Sequence, residues 1–136
     1  MQLKKRKDLK ILIVDDEESI VNFLKASMED EGFNVIETEN PAEVEDIIES
    51  RKPDLMLLDF KMPGLDGLSL LERIREKKDL KDVPAIIISA YGSEFDEEKK
   101  NKMKELDVKD IIPKSASLYE AKERILKVIT EKYKIK

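Results

Sequence analysis

Five polar residues stand directly behind short aliphatic runs, or within two positions of one. Asp15 and Asp16 follow Ile11-Leu12-Ile13-Val14, Asp59 follows Leu55-Met56-Leu57-Leu58, Ser89 follows Ala85-Ile86-Ile87-Ile88, and Lys114 comes shortly after Ile111-Ile112. If these residues converge, three carboxylates share one pocket and repel one another, so one keeps its proton or a cation neutralises them. The chain has no His and no Cys, which removes imidazole and thiolate from acid–base chemistry and from metal ligation. An all-oxygen set selects a hard cation, Mg²⁺ ahead of Zn²⁺ or Cu²⁺, and Mg²⁺ commonly completes its shell with waters and phosphate oxygens. A carboxylate can attack a phosphoryl group to give an acyl phosphate. A lysine can neutralise the transferred group, and a serine hydroxyl can donate to one of its oxygens.

Such residues need a scaffold that brings strand ends together. The aliphatic runs, with Asn34-Val35-Ile36 as another, number five. Three are almost unbroken, as in central strands of a parallel sheet covered on both faces. Amphipathic stretches alternate with them. Ile20, Phe23, Leu24, Ser27 and Met28 share one helical face, and Gly32 stands where a C-terminal cap belongs. Asn40-Pro41-Ala42-Glu43 and Ser117-Leu118-Tyr119-Glu120 read as capping boxes. They open helices carrying Val44, Ile47 and Ile48, and Leu118, Ile125, Val128 and Ile129. Leu68, Leu71 and Ile74 mark a third stripe. The fourth stretch, Glu94 to Leu106, is nearly all charge and is expected to pack weakly and move easily. The pattern predicts an α/β fold, (βα)₅, with helices on both faces of a doubly wound parallel sheet. In such a sheet, ligands bind beyond the carboxyl ends of the strands, which is where the five polar residues fall.

Composition narrows the function. The chain of 136 residues fits one domain, and 42% of it is charged, with 31 acidic against 26 basic residues and a net charge of −5. That balance argues against direct nucleic-acid binding, which concentrates basic excess on one face. No apolar run approaches the ~18 residues needed to cross a bilayer. The basic start, Lys4-Lys5-Arg6-Lys7, lacks the apolar core of a signal peptide and reads as a solvated tail. A cytoplasmic protein is expected.

The acidic pair in Ile13-Val14-Asp15-Asp16-Glu17, the segment running from Leu57-Leu58-Asp59 through Met62-Pro63-Gly64 to Asp66-Gly67, Ile88-Ser89-Ala90 and Lys114 together resemble the receiver domain of two-component response regulators, over roughly residues 8–129. An Asp followed four residues later by Pro and eight later by Gly is moderately specific; all four signals in order are much more so. The resemblance implies a flavodoxin-like sheet of order 2-1-3-4-5. It implies Asp59 as phosphoacceptor, Asp16 as direct Mg²⁺ ligand, Asp15 as a ligand through water and the Lys61 carbonyl as a further ligand. Ser89 resembles the switch hydroxyl, the Ala90 N–H a second phosphoryl donor, and Lys114 the lysine that pairs with Asp59 and then with the phosphate. The implied phosphoryl source is a sensor histidine kinase or a histidine phosphotransfer protein. The implied readout surface is the fourth helix, fifth strand and fifth helix. After Ile129 only seven residues follow, too few for an output domain, so output is expected through a protein partner or self-association. Catalysis is confined to the chain's own phosphorylation and dephosphorylation.

Taken singly, the residues also fit plainer roles. Asp15 and Asp16 suit the start of a helix, Asp59 a turn, and Lys114 a solvated surface. The alternative for the whole chain is a receiver-like docking module that is never phosphorylated. An Mg²⁺-dependent phosphohydrolase is a third reading; it lacks a second acid two residues after Asp59, where Lys61 stands, and a cap domain.

Several positions depart from the family pattern. Pro113 precedes the lysine instead of following it, so the Lys114–Ser115 peptide is expected trans. Ile111 takes the place of an aromatic, and Asp107 and Val108 stand where Gly and Ala are usual. Lys61 and Tyr91 flank the site, and shielding by Tyr91 predicts slow autodephosphorylation.

Overall fold

The computed structural model describes residues 3–62, 64–80, 82–90 and 95–135. Five parallel strands form the central sheet: β2 (Lys10–Val14), β3 (Asn34–Thr38), β4 (Leu55–Asp59), β5 (Ala85–Ser89) and β6 (Val108–Pro113). Their order is β3-β2-β4-β5-β6. Once the two-residue strand β1 (Leu3–Lys4) is set aside, this is the expected 2-1-3-4-5 arrangement.

Alternation along each strand divides the core. Leu12, Val14, Met56, Leu58 and Ile87 pack with Val44, Ile48, Leu71 and Ile74 from α2 (Val44–Arg51) and α3 (Gly67–Glu76). Met103 of α4 (Glu97–Glu105) joins the same cluster. Ile11, Ile13, Leu57, Ile86 and Ile88 pack on the opposite face with Val21, Leu24 and Met28 of α1 (Glu18–Asp30) and Ile125 and Ile129 of α5 (Leu118–Lys132). Strands β4 and β5 are buried throughout, because helices cover both faces.

Two expected helix faces are rotated in detail. Phe23 is 47% exposed and Leu118 40% exposed; Val21 and Ala121 are buried in their helices instead. Asn40 caps as expected, its side chain accepting from the Ala42 N–H at 3.0 Å. The reciprocal half of that box is missing, because the Glu43 carboxylate accepts from the Thr38 hydroxyl. Ser117 accepts from the Glu120 N–H, whereas the Glu120 side chain turns to Arg124.

The charged fourth helix is short and contributes one buried side chain, Met103, but both its ends are fastened. Phe95 meets Phe60 edge-on at 4.8 Å between ring centroids. At the far end the Arg75 guanidinium donates to the carbonyls of Leu106 and Val83. Asp107 takes the left-handed turn there, at φ 56°, where a glycine would be unstrained. No cis peptide occurs among the described residues, so Lys114–Ser115 is trans. Ile111 is half-buried against the α2–α3–α4 cluster.

The basic start is not a solvated tail. Leu3 and Lys4 pair in parallel with β7 (Lys134–Ile135), and Arg6 binds the Glu31 carboxylate at 2.7 Å. Beneath this pairing, the Tyr133 hydroxyl donates to the Asp54 carbonyl at 2.9 Å, and an Asp54 carboxylate oxygen accepts from the Lys10 N–H at 2.8 Å. Lys4 reaches the other Asp54 oxygen at 3.6 Å and lies over the Tyr133 ring. Every strand of the central sheet starts at this edge and ends at the opposite one.

Candidate functional site

The strand ends deliver the predicted residues to one rim. Asp15 directly follows β2, Asp59 closes β4, Ser89 closes β5, and Lys114 directly follows β6. Asp15, Asp59 and Ser89 are buried while Asp16 is exposed. Single carboxylate oxygens from Asp15, Asp16 and Asp59 lie within 4.8 Å of one another. Asp16, Glu17, Asp59, Lys61, Ser89, Ala90 and Lys114 line a cavity of about 240 Å³. Six of the seven residues expected at the site line this cavity, and the seventh, Asp15, stands beside Asp16 and Asp59 in the carboxylate cluster. Pro63 and Tyr91, also singled out by the sequence, lie outside the described residues.

Backbone contacts fix the rim. The Asp15 N–H donates to the Thr38 carbonyl, and the Lys114 N–H donates to the Ser89 carbonyl at 2.7 Å. Phe60 is held on both sides, its N–H donating to Ile88 and its carbonyl accepting from Gly67. Gly67 opens α3 so close to the end of β4 that a Cβ there would lie 2.3 Å from the Asp59 carbonyl oxygen. Only glycine permits that approach.

The ammonium of Lys114 is the electrostatic centre. Its Nζ lies 2.9 Å from Glu17, 3.2 Å from Asp59 and 3.5 Å from Asp15. Asp59 uses its other oxygen to accept from the Lys61 N–H at 3.3 Å. Burial, reinforced by the neighbouring Asp15 carboxylate, pushes the Asp59 carboxyl up to about 7 despite Lys114. Burial alone would lower the Lys114 ammonium, but Glu17, Asp15 and Asp59 together hold it above its ordinary value.

The donor set suits a hard dication. Asp15 Oδ1 accepts from the Glu17 N–H, but the buried Oδ2, 3.5 Å from the Lys114 ammonium, accepts no hydrogen bond among the described residues. A buried carboxylate oxygen without a donor is costly in a folded protein, and a cation beside Asp16 and Asp59 would satisfy it. The ligands are oxygens only, as Mg²⁺ requires.

Comparison with known proteins agrees with this geometry. Residues 11–126 match the model of the response regulator receiver domain family. The chain belongs to that family. Among curated relatives, it is 39% identical over 84 residues to the phosphate regulon transcriptional regulatory protein PhoB of Pseudomonas aeruginosa, a match covering 62% of this chain and 37% of that protein. It is also 39% identical over 83 residues to sporulation initiation phosphotransferase F of Bacillus subtilis, covering 61% and 65% respectively. The match thus spans little more than a third of the regulator and about two thirds of the phosphotransferase. A non-phosphorylated HemR receiver domain from Leptospira biflexa superimposes with a TM-score of 0.79 at 28% identity, covering 90% of this chain and 95% of that one. A response regulator from Thermotoga maritima gives 0.75 at 29%, covering 90% and 98%.

Sequence reasoning about this receiver domain missed one rim residue. Glu17 was visible only as a third acid after the pair, and its partner Lys114 lies 97 positions away. Nothing local in the sequence announces that contact.

Proposed function

We propose that this receiver domain is a phosphorylation switch whose Asp59 accepts a phosphoryl group from phosphohistidine, on a sensor histidine kinase or a histidine phosphotransfer protein. The observation that carries the reading is the Asp59 carboxylate at a strand end, 3.2 Å from the Lys114 ammonium and beside two further acids. Asp59 Oδ attacks phosphorus in line; the N–P bond breaks and the imidazole leaves with the electron pair. Lys114 moves its charge from the carboxylate to the phosphoryl oxygens, and the Ser89 hydroxyl and Ala90 N–H donate to them. Asp15, Asp16, Asp59 and the Lys61 carbonyl would hold Mg²⁺, which when bound neutralises the acids and draws charge from the transferring group. The chain supplies no phosphohistidine of its own, having no His.

The acyl phosphate adds negative charge at one rim of the sheet. Ser89 and the Phe60–Phe95 contact lie beside it, so the change is passed to α4 and to the face formed by α4, β6 and α5. A downstream protein, or a second copy, reads that face. No described helix is long and apolar enough to cross a membrane, in keeping with action in the cytoplasm. The proposed chemistry is confined to the chain's own phosphorylation and dephosphorylation.

Incubation with Mg²⁺ and acetyl phosphate tests the reading. A stoichiometric adduct of ~80 Da is expected on the wild type and not on Asp59→Ala. Failure of the wild type to form it would leave a docking module, and turnover of unrelated phosphate esters would make it a hydrolase.

A further inference from the structure

The shortest contact of the Lys114 ammonium is not to the phosphoacceptor. It is to Glu17, at 2.9 Å, against 3.2 Å to Asp59. The pair is also built from below, since the Glu17 N–H is held by Asp15 Oδ1 at 2.9 Å. That hydrogen bond fixes the backbone from which the Glu17 side chain reaches across to the loop after β6. Lys114 is nearly buried, with a side chain 10% exposed, whereas the Glu17 side chain is 53% exposed. Glu17 therefore draws the ammonium toward the mouth of the cavity, and Asp59 draws it inward. Resting on the proposed phosphorylation of Asp59, we propose that Glu17 is a positioning residue for Lys114: it holds the ammonium at the rim of the unphosphorylated site and must release it before the amine can serve the phosphoryl group.

The physical argument is a competition. Phosphoryl transfer places new negative charge on oxygens that only a lysine free to move inward can meet at close range. Any interaction stronger in the resting state than in the transition state slows the chemical step. The Glu17–Lys114 contact is such an interaction. Its exposed acid limits its strength, since half-exposed pairs in water hold one another weakly. It is a brake of modest force, set by one side chain at the entrance.

Glu17→Gln keeps the shape and removes the charge. At saturating Mg²⁺, acetyl phosphate is expected to form the adduct about fivefold faster on Glu17→Gln than on wild type, the factor matching loss of one weak ion pair. Glu17→Asp keeps the charge on a shorter stem and should fall between them. In a Lys114→Ala background the same Glu17→Gln change should give no gain, because the two residues act through one contact. A gain that persists without the amine would overturn the proposal and make Glu17 a simple repeller of anionic donors. An independent measurement uses the metal-free protein without any donor: the ¹H–¹⁵N resonance of the Lys114 ammonium should shift in Glu17→Gln. An unmoved resonance would also overturn the proposal. Absence of the adduct on wild type sinks the proposed function itself, whereas equal rates on wild type and Glu17→Gln sink only the role of Glu17.

Discussion

The two edges of the central sheet carry similar polar residues and treat them in opposite ways. At the edge where the strands begin, Asp54 accepts from the Lys10 N–H, its carbonyl accepts from Tyr133, and Lys4 stands at its second oxygen. At the edge where they end, Asp15 keeps a buried oxygen without a hydrogen bond, and Asp59 faces Asp15 with one lysine between three acids. One edge is closed and satisfied; at the other, three acids crowd around a single ammonium. Strain of this kind belongs where ligands are meant to arrive.

The contrast can be broken most strongly at Asp59. Its carboxyl titrates near 3.8 in an unfolded chain and about 7 in the folded one. Folding therefore takes up a proton between those values, and the metal-free protein should lose stability as the pH rises across that window. Asp59→Asn removes the penalty and should stabilise the metal-free protein by about 2 kcal/mol at pH 8 and far less at pH 5. Urea unfolding at both pH values checks this, and a gain equal at the two would refute it. Adding Mg²⁺ to the wild type is a second way to close the gap. Thermal unfolding should rise by an amount worth about 1.5 kcal/mol when Mg²⁺ is at roughly ten times its dissociation constant, and Asp15→Asn should lose most of that response.

The satisfied edge predicts smaller effects of the opposite sign. Tyr133→Phe leaves the Asp54 carbonyl short of a donor and should cost about 1 kcal/mol. The Tyr133 hydroxyl, pushed up to about 12 by burial and the Asp54 charge, stays protonated, so that loss should be the same at pH 5 and pH 8. Lys4→Met should change stability by less than ~0.5 kcal/mol, since the 3.6 Å pair with Asp54 is partly solvated. High salt should erase even that difference.

The two edges also differed in how far they could be read in advance. The strand-end site was legible because each polar residue interrupts an aliphatic run, and chain order alone then gathers them on one rim. The closed edge was not. Leu3-Lys4 and Lys134-Ile135 are too short to show any period, and their pairing joins opposite ends of the chain. Helix faces were legible only where several apolar residues agreed. Phe23 and Leu118 are apolar by type, yet their neighbours Val21 and Ala121 fit the core better, and no local rule ranks them. Asp107 shows a third limit. The charge of the fourth stretch suggested a loose helix, but Arg75, 31 residues upstream of the Leu106 carbonyl it holds, fastens the corner that ends at Asp107.

The close seat of α3 bears on where movement can go. With Gly67 pressed against the Asp59 carbonyl and Phe60 hydrogen-bonded on both sides, Asp59 stands on an anvil. A phosphoryl group landing there cannot push its own strand backward. Under the proposed phosphorylation, displacement would leave sideways, through neighbouring loops, so this braced strand end would set the direction in which the message travels.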